Sequence, residues 1–519
     1  MIKIEKTKIV LVDMSATLIH HGHIRLIKKA ASDLYFDMDE SEISEYSEFM
    51  DGLIAGVNLV ESLDEPKLPT KYPRGELIRP AEKENRYNAW FWKCSIKGKS
   101  EGKLAGKSVV IKDNICVAGV PMMNGSNVFE GLIPDQDATV VTRVLDEGGE
   151  ILGKAVCENF CFSGGSHTSA TGPVLNPHDV AYMAGGSSSG CAALIVSGEC
   201  DMGIGSDQGG SVRMPASFSG CFGIKPTYGL VPYTGASGIE QSVDHLGPMA
   251  ASTKDCALLL EVIAGFDEGR DPRQKNPITK KYSELYQKGV KGMRIGLVEE
   301  SFAMPGHEED VSNLVRETAH TLGGQGAIIN RISIPEHEYA GTIMLVSILD
   351  GTLSTFTEQG PNGPNFQGHS MTEAIKFYYS ARREKANLMP VTVKNFLLFA
   401  KIMRERYGNY YSAKAQNQVR NINNIYDKAL GEQDLLLMPT TPMKAHKLPD
   451  KNATNGEILG CALDMLGNTS PFDATGHPSM SVPIGKSEGL PVGLMLTGRR
   501  TEDDLVLRGS QAIEELLAS

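Results

Sequence analysis

Apolar residues in the first part of the chain recur with helical spacing. Leu26, Ile27 and Ala30 lie near Leu34, then Ile43 leads through Met50 to Ile54, with few glycines between residues 15 and 65. Recurrence every three to four residues marks one face of a helix, so this stretch predicts a helical N-terminal cap of about three helices. Pro66 to Pro80 follows as a proline-bearing linker. From Ala105 the pattern changes to short apolar runs, Val109-Val110-Ile111, Ile151-Leu152 and Ala192 to Val196, separated by glycine-rich turns. That alternation predicts an α/β body. Between Lys281 and Gln433 the chain turns charged and helical, with the strand-like Met293-Arg-Ile-Gly-Leu-Val298 at its entrance, which predicts an α-helical insertion at about 300–430. Strand texture returns at Asp434 to Pro439 and Ser479 to Pro483, and Asp503 to Leu517 reads as a terminal helix. The closing segments are therefore expected to rejoin the main sheet. The expected division is cap and linker over 1–80 and the α/β body over 81–519.

With 519 residues a sizeable core is assured, and 51 basic against 63 acidic residues leave a net charge of −12. No basic stretch is dense enough to neutralise a phosphate backbone, so nucleic acid is not an expected partner. Uninterrupted apolar runs such as Ile9 to Val12 and Cys256 to Leu260 fall far short of the roughly 20 residues of a bilayer span, so a soluble protein with no membrane partner is expected. The opening segment, with Glu5 and Asp13 around a very short apolar core, does not read as a secretory signal, and a cytoplasmic location is expected. Nine cysteines scatter from Cys94 to Cys461 without a Cys-x-x-Cys pair, which fits buried thiols better than a disulfide framework. Cys157, Cys161 and His167 form one cluster, but a metal site needs a fourth ligand and a recognisable spacing, so no metal is expected there.

Three separated pieces carry candidate chemistry. The first is Gly185-Gly186-Ser187-Ser188-Ser189-Gly190 before a small apolar run. A phosphate-binding loop would end in Gly-Lys-Ser/Thr, and a dinucleotide site would show Gly-x-Gly-x-x-Gly with a downstream acid; both are absent, so no nucleotide cofactor is expected. The second is Gly205-Ser206-Asp207-Gln208-Gly209-Gly210-Ser211-Val212-Arg213. Two glycines directly before a serine let the backbone bend tightly and aim consecutive N–H groups at one point, so the loop offers nucleophile and oxyanion donors together. Asp207 and Arg213 flank it, and a structural ion pair bracing the loop is preferred to substrate recognition because a buried charge must be paired. The third is Lys112, at the end of Val109-Val110-Ile111. Burial there would disfavour its ammonium form and make it a general base.

Together and in this order, these pieces resemble the amidase signature family, whose Gly/Ser-rich stretch runs here from Gly185 to Thr227. The likeness extends to Gly119–Gly125, Asp137–Val141, Pro232–Gly235 and Ser470–Pro478, and within the family it is similar to bacterial enantioselective amidases that act on small carboxamides, often beside nitrile-converting enzymes. The resemblance implies an amidase-signature fold, a large mixed β-sheet flanked by helices. It implies that Lys112 pairs with Ser187, that Ser187 contacts the nucleophile Ser211, and that a cis peptide bond joins Gly186 to Ser187. The N–H groups of Gln208, Gly209, Gly210 and Ser211 would form the oxyanion hole. It also implies a homodimer, a small-molecule amide as substrate, and an acyl-enzyme released by water. Gln208 stands where threonine is common in the wider family, and Val212 replaces the usual isoleucine; neither removes a reactive group.

Rival readings are open to test. His167, His178, His245 and His477 could serve a Ser-His-Asp arrangement, but no Gly-x-Ser-x-Gly elbow accompanies them. Cys191 and Cys221 lack an identifiable partner base, which favours packing. For substrate contact the best candidates are Phe162, beside Gly164-Gly165, and the Gln208 side chain, with residues of the helical insertion closing the acyl pocket. A glutamine-hydrolysing subunit that passes ammonia to a partner, and a catalytically silent protein on the same fold, are the alternatives to a free-standing amidase.

Overall fold

The computed structural model describes residues 23–363 and 366–518. The chain divides into two compact units, 1–68 and 69–519. In the first, helices His23–Asp33 and Glu40–Ser62 are the described elements. Ile43 to Ile54 belongs to one unbroken helix in which Gly52 and Gly56 are tolerated; residues 15–22 of the stretch expected to hold about three helices lie outside the described residues. Asp39 starts that helix with a capping box: its Oδ1 accepts from the N–H groups of Ser41 and Glu42, and the Glu42 carboxylate accepts from the Asp39 N–H. Among the described residues of this unit, only Ile27, Ala31 and Ile43 are buried apolar residues.

The second unit is built on one eleven-stranded sheet. Its first six strands are β1 (Trp90–Lys97), β2 (Ser108–Lys112), β3 (Glu150–Ala155), β4 (Met202–Asp207), β5 (Phe222–Lys225) and β6 (His245–Ala250). The other five are β7 (Arg294–Val298), β8 (Ile328–Ile332), β9 (Leu435–Pro439), β10 (Ser479–Ser487) and β11 (Leu490–Gly498). Their order is β1-β3-β2-β4-β6-β5-β10-β11-β9-β7-β8. Pairing is parallel between β2 and its neighbours β3 and β4, and between β7 and its neighbours β8 and β9; the remaining pairs are antiparallel, so the sheet is mixed. The closing strands β9, β10 and β11 lie within this same sheet, as the return of strand texture predicts. Glu488 and Gly489, both at positive φ, turn β10 into β11.

The β-branched run before Lys112 is continuous because β2 is buried on both faces. Val109 and Ile111 enter one hydrophobic cluster and Val110 the other, as the two-residue period of a strand requires. Lys112, two residues beyond Val110, therefore shares the Val110 face, against which the small-residue helix Ser189–Val196 also packs. The segment expected as a helical insertion also holds β8, whose half-exposed, edge-strand pattern gives no clean alternation. One helical run, His337–Gln359, is long and apolar enough by length and composition to cross a membrane, with half of its apolar window buried inside the protein. Its Met344, Leu345 and Ile348 face a cavity of the unit rather than a uniform apolar exterior.

Candidate active site

Lys112 ends β2 with no solvent exposure. Its Nζ lies 2.7 Å from Ser187 Oγ, 2.8 Å from Ser206 Oγ and 3.2 Å from the Ser206 carbonyl oxygen. Ser206 comes from the neighbouring strand β4, and its hydroxyl also accepts from Asn114 Nδ2 at 3.2 Å. Ser187 is delivered by the Gly185-Gly186 turn, whose packing leaves no room for a side chain: a Cβ on Gly186 would lie 2.0 Å from the Gly165 carbonyl oxygen. The peptide bond Gly186–Ser187 is cis.

The second loop leaves β4 at Asp207. Asp207 Oδ1 accepts from the Gly210 N–H at 2.6 Å and its Oδ2 from the Val212 N–H at 3.0 Å, so one carboxylate curls the loop around itself. Gly210 sits at φ +131°, and a Cβ there would lie 2.2 Å from Thr469 Oγ1. Arg213 returns two bonds to Asp207, at 3.0 and 2.9 Å, and one to Asp473 at 2.6 Å, all three side chains being fully buried. Burial alone would raise the Asp207 carboxyl, but the Arg213 guanidinium holds it well below the usual carboxylate range. Asp473 goes the other way, pushed up by burial and by the Asp207 charge. Asp207 and Arg213 thus form a bracing pair and do not reach the cavity beside Ser211. The two loops join where the Ser188 N–H donates to the Ser211 carbonyl at 3.1 Å.

One of the four expected oxyanion donors is already engaged: the Gly210 N–H belongs to Asp207. Among the described residues the N–H groups of Gln208, Gly209 and Ser211 have no partner within the protein. Three donors therefore stand in place of four, the glycine at φ +131° being turned toward the bracing carboxylate.

Ser211, Gln208 and Gly209 line a cavity of about 50 Å³ whose other walls are almost wholly apolar. Phe162 lines it too, its ring 4.8 Å from that of Phe396. The Gln208 side chain borders the cavity with its amide tied to Tyr233 Oη at 2.8 Å. Met344, Ile348, Ile239, Leu463 and Leu466, none singled out by sequence pattern, complete the apolar wall. Apolar residues of a helix have the same spacing whether they face a core or a cavity, so no local signal distinguishes them.

The rival residues lie elsewhere. His167 Nε2 meets the Ile458 carbonyl, His178 the Ser219 carbonyl, His245 the Val243 carbonyl, and His477 lies between Thr475 Oγ1 and Asp427. Cys191 and Cys221 are buried, and burial pushes both thiols up, Cys191 to about 12. Cys157 and Cys161 both face Asn124 Oδ1, at 3.9 and 3.4 Å, while His167 does not join them. Among the described residues no group of three or more His, Cys, Asp or Glu side chains is placed to hold a metal.

The Amidase family model matches residues 77–507. The chain is 38% identical to an enantioselective amidase of Rhodococcus rhodochrous across 93% of this chain and 94% of that protein. It is 36% identical to a glutamyl-tRNA(Gln) amidotransferase subunit of Methanosarcina mazei, across 80% of this chain and 85% of the relative. The crystal structure of the corresponding subunit from Thermotoga maritima superposes with a TM-score of 0.65 at 30% identity, covering 80% of this chain and 84% of that one. The family match takes in both serine loops, the lysine strand and the cavity walls, and with it this chain is a member of the amidase family, the amidase signature enzymes that act on carbon–nitrogen bonds.

Proposed function

We propose that this enzyme hydrolyses small, uncharged carboxamides to a carboxylic acid and ammonia through Ser211, Ser187 and Lys112. The observation that carries the reading is the buried Lys112 Nζ, 2.7 Å from Ser187 Oγ, on a loop hydrogen-bonded to that of Ser211 at the cavity wall. Ser211 Oγ attacks the amide carbonyl while its proton passes through Ser187 to Lys112. Charge developing on the carbonyl oxygen is met by the free N–H groups of Gln208, Gly209 and Ser211, where preorganised donors in a dry site act most strongly. The relay then runs backward to protonate the leaving ammonia, and water releases the acid from the acyl-enzyme by the same route. Side chains and backbone amides perform every step, so the reaction as drawn calls for no cofactor.

The relatives include both an enantioselective amidase and amidotransferase subunits, and the cavity favours the first kind of chemistry. Glutamine would bring an α-ammonium and an α-carboxylate to a wall that holds no charged side chain among the described residues. Unpaired charges there would be costly to desolvate. A hydrolysis screen of aliphatic, aromatic and amino-acid amides with the purified chain tests the reading. Turnover of simple aliphatic or aromatic amides, without gain from partner subunits or ATP, is the expected result; glutamine as the sole substrate would overturn it. We further propose a homodimer, supported by the apolar residues that the helix Glu40–Ser62 exposes, among them Leu53, Val57 and Val60. A cytoplasmic setting is proposed on the free state of all nine cysteines.

A further inference from the structure

We propose that Thr469 is a positioning residue of the oxyanion loop. Its hydroxyl fixes the peptide unit between Gly209 and Gly210, and with it the aim of the N–H groups on either side, those of Gly209 and Ser211. The proposal rests on the reading of Ser211 as the nucleophile. Thr469 is fully buried, 260 positions from Gly209 in the chain, and its Oγ1 donates to the Gly209 carbonyl oxygen at 2.6 Å. The same hydroxyl is 3.3 Å from the Leu466 carbonyl, so its single proton belongs to the nearer acceptor, Gly209. Leu466 lines the cavity and Thr469 does not, so Thr469 acts on a substrate only through the loop.

Two consecutive glycines leave this part of the loop pliable unless something outside it holds the backbone. In a trans peptide the C=O and the N–H point in opposite directions. Here Thr469 holds the Gly209 carbonyl, and Asp207 Oδ1 holds the Gly210 N–H at 2.6 Å, so the unit is gripped from both sides. Turning it over would set the Gly209 oxygen against the Asp207 carboxylate, two acceptors face to face. Arg213 closes the arrangement into a ring: its Nη2 donates to Asp207 at 2.9 Å and its Nη1 donates to the Thr469 carbonyl at 2.9 Å. The bracing ion pair thus fixes Thr469 as well as the loop.

The next two carbonyls are tied as well. Gly210 accepts from the Met214 N–H at 2.6 Å and Ser211 from the Ser188 N–H at 3.1 Å. The clamped unit therefore stands between two N–H groups, of Gly209 and Ser211, that have no partner among the described residues. Donors aimed before charge develops on the carbonyl oxygen need no reorganisation when it does. A tie that serves only this aim strengthens binding of the transition state and leaves binding of the amide itself almost unchanged, so its loss belongs in kcat.

The test compares Thr469→Val, Thr469→Ser and Ser211→Ala, each in the full chain, in steady-state hydrolysis of the amide that the unaltered chain turns over fastest. Thr469→Val keeps the side-chain shape and removes the donor; it should lower kcat by roughly tenfold to a hundredfold and leave KM within about twofold. Thr469→Ser keeps the hydroxyl and should restore kcat to within about threefold of the unaltered chain. Thermal melts read folding, and Thr469→Ala, which removes the same hydroxyl from a smaller side chain, should show the same fall in kcat if the valine variant does not fold. Hydrolysis by Ser211→Ala would sink the nucleophile reading and this proposal with it. With Ser211→Ala inactive, three results would overturn the positioning role alone: an unchanged kcat without the hydroxyl, a loss carried wholly by KM, or equal losses in the valine and serine variants.

Discussion

Asp207 and Lys112 each organise a loop by offering one group to several partners. Asp207 accepts from the Gly210 and Val212 N–H groups and from Arg213, while Lys112 donates to two serines that come from different segments. Ser211→Ala is expected to abolish acyl transfer. Lys112→Ala should lose about a hundredfold or more in kcat, with residual turnover rising toward high pH. Steady-state rates on a simple amide check both, and substantial hydrolysis by Ser211→Ala would refute the mechanism. Asp207→Asn leaves the Arg213 guanidinium with a poorer partner, so a loss of about 3 to 5 kcal/mol in denaturant unfolding is expected. Lys112 and Ser211 were singled out by their own motifs, and Ser187 by the family resemblance. Ser206 was not singled out, because its hold on Lys112 exists only where β4 lies beside β2, which no local spacing states.

At the scale of elements, the run His337–Gln359 supplies Met344, Leu345 and Ile348 to the cavity wall. Ile348 is 3% exposed and lines the cavity beside Ser211. Ile348→Ala should raise kcat/KM for amides with bulkier acyl groups relative to small ones by about tenfold, the scale on which pocket methylenes discriminate. Comparison of paired substrates decides this, and an unchanged ratio would place Ile348 outside the acyl pocket. Asp244, just before β6, accepts from the Ile239 N–H at 3.0 Å and is pushed up to about 7 by burial. Its folded value exceeds its unfolded one, about 3.9, so the stability it contributes is full below about pH 4 and disappears as pH rises through about 7. Asp244→Asn should flatten that decline in thermal melts taken across the window; an unchanged slope would show that another group sets it. Strand β2 could be read from its β-branched run because both faces are buried, whereas β8 could not, being a half-exposed edge.

For the whole molecule, the proposed dimer gives a separate expectation. Replacing Leu53, Val57 and Val60 together by aspartate puts charge on residues that are 73%, 60% and 70% exposed, so the fold should survive while sedimentation shifts from dimer to monomer. A dimer that persists would place the interface elsewhere. By itself the sequence determined the alternation of strand and helix in the body and the helical character of the described part of the first unit, since periodicity is a local property, while glycine placement and a lysine after an apolar strand pointed to Ser211 and Lys112 as the residues proposed to react. Tertiary structure alone decided the mixed strand order, the hold of Ser206 on Lys112 and the distant side chains that wall the cavity. The physical reason is the same for each: a hydrogen bond or apolar contact between residues far apart in the chain depends on which strands lie side by side, and in this sheet β5 neighbours β10 and β11 neighbours β9 across long intervening segments.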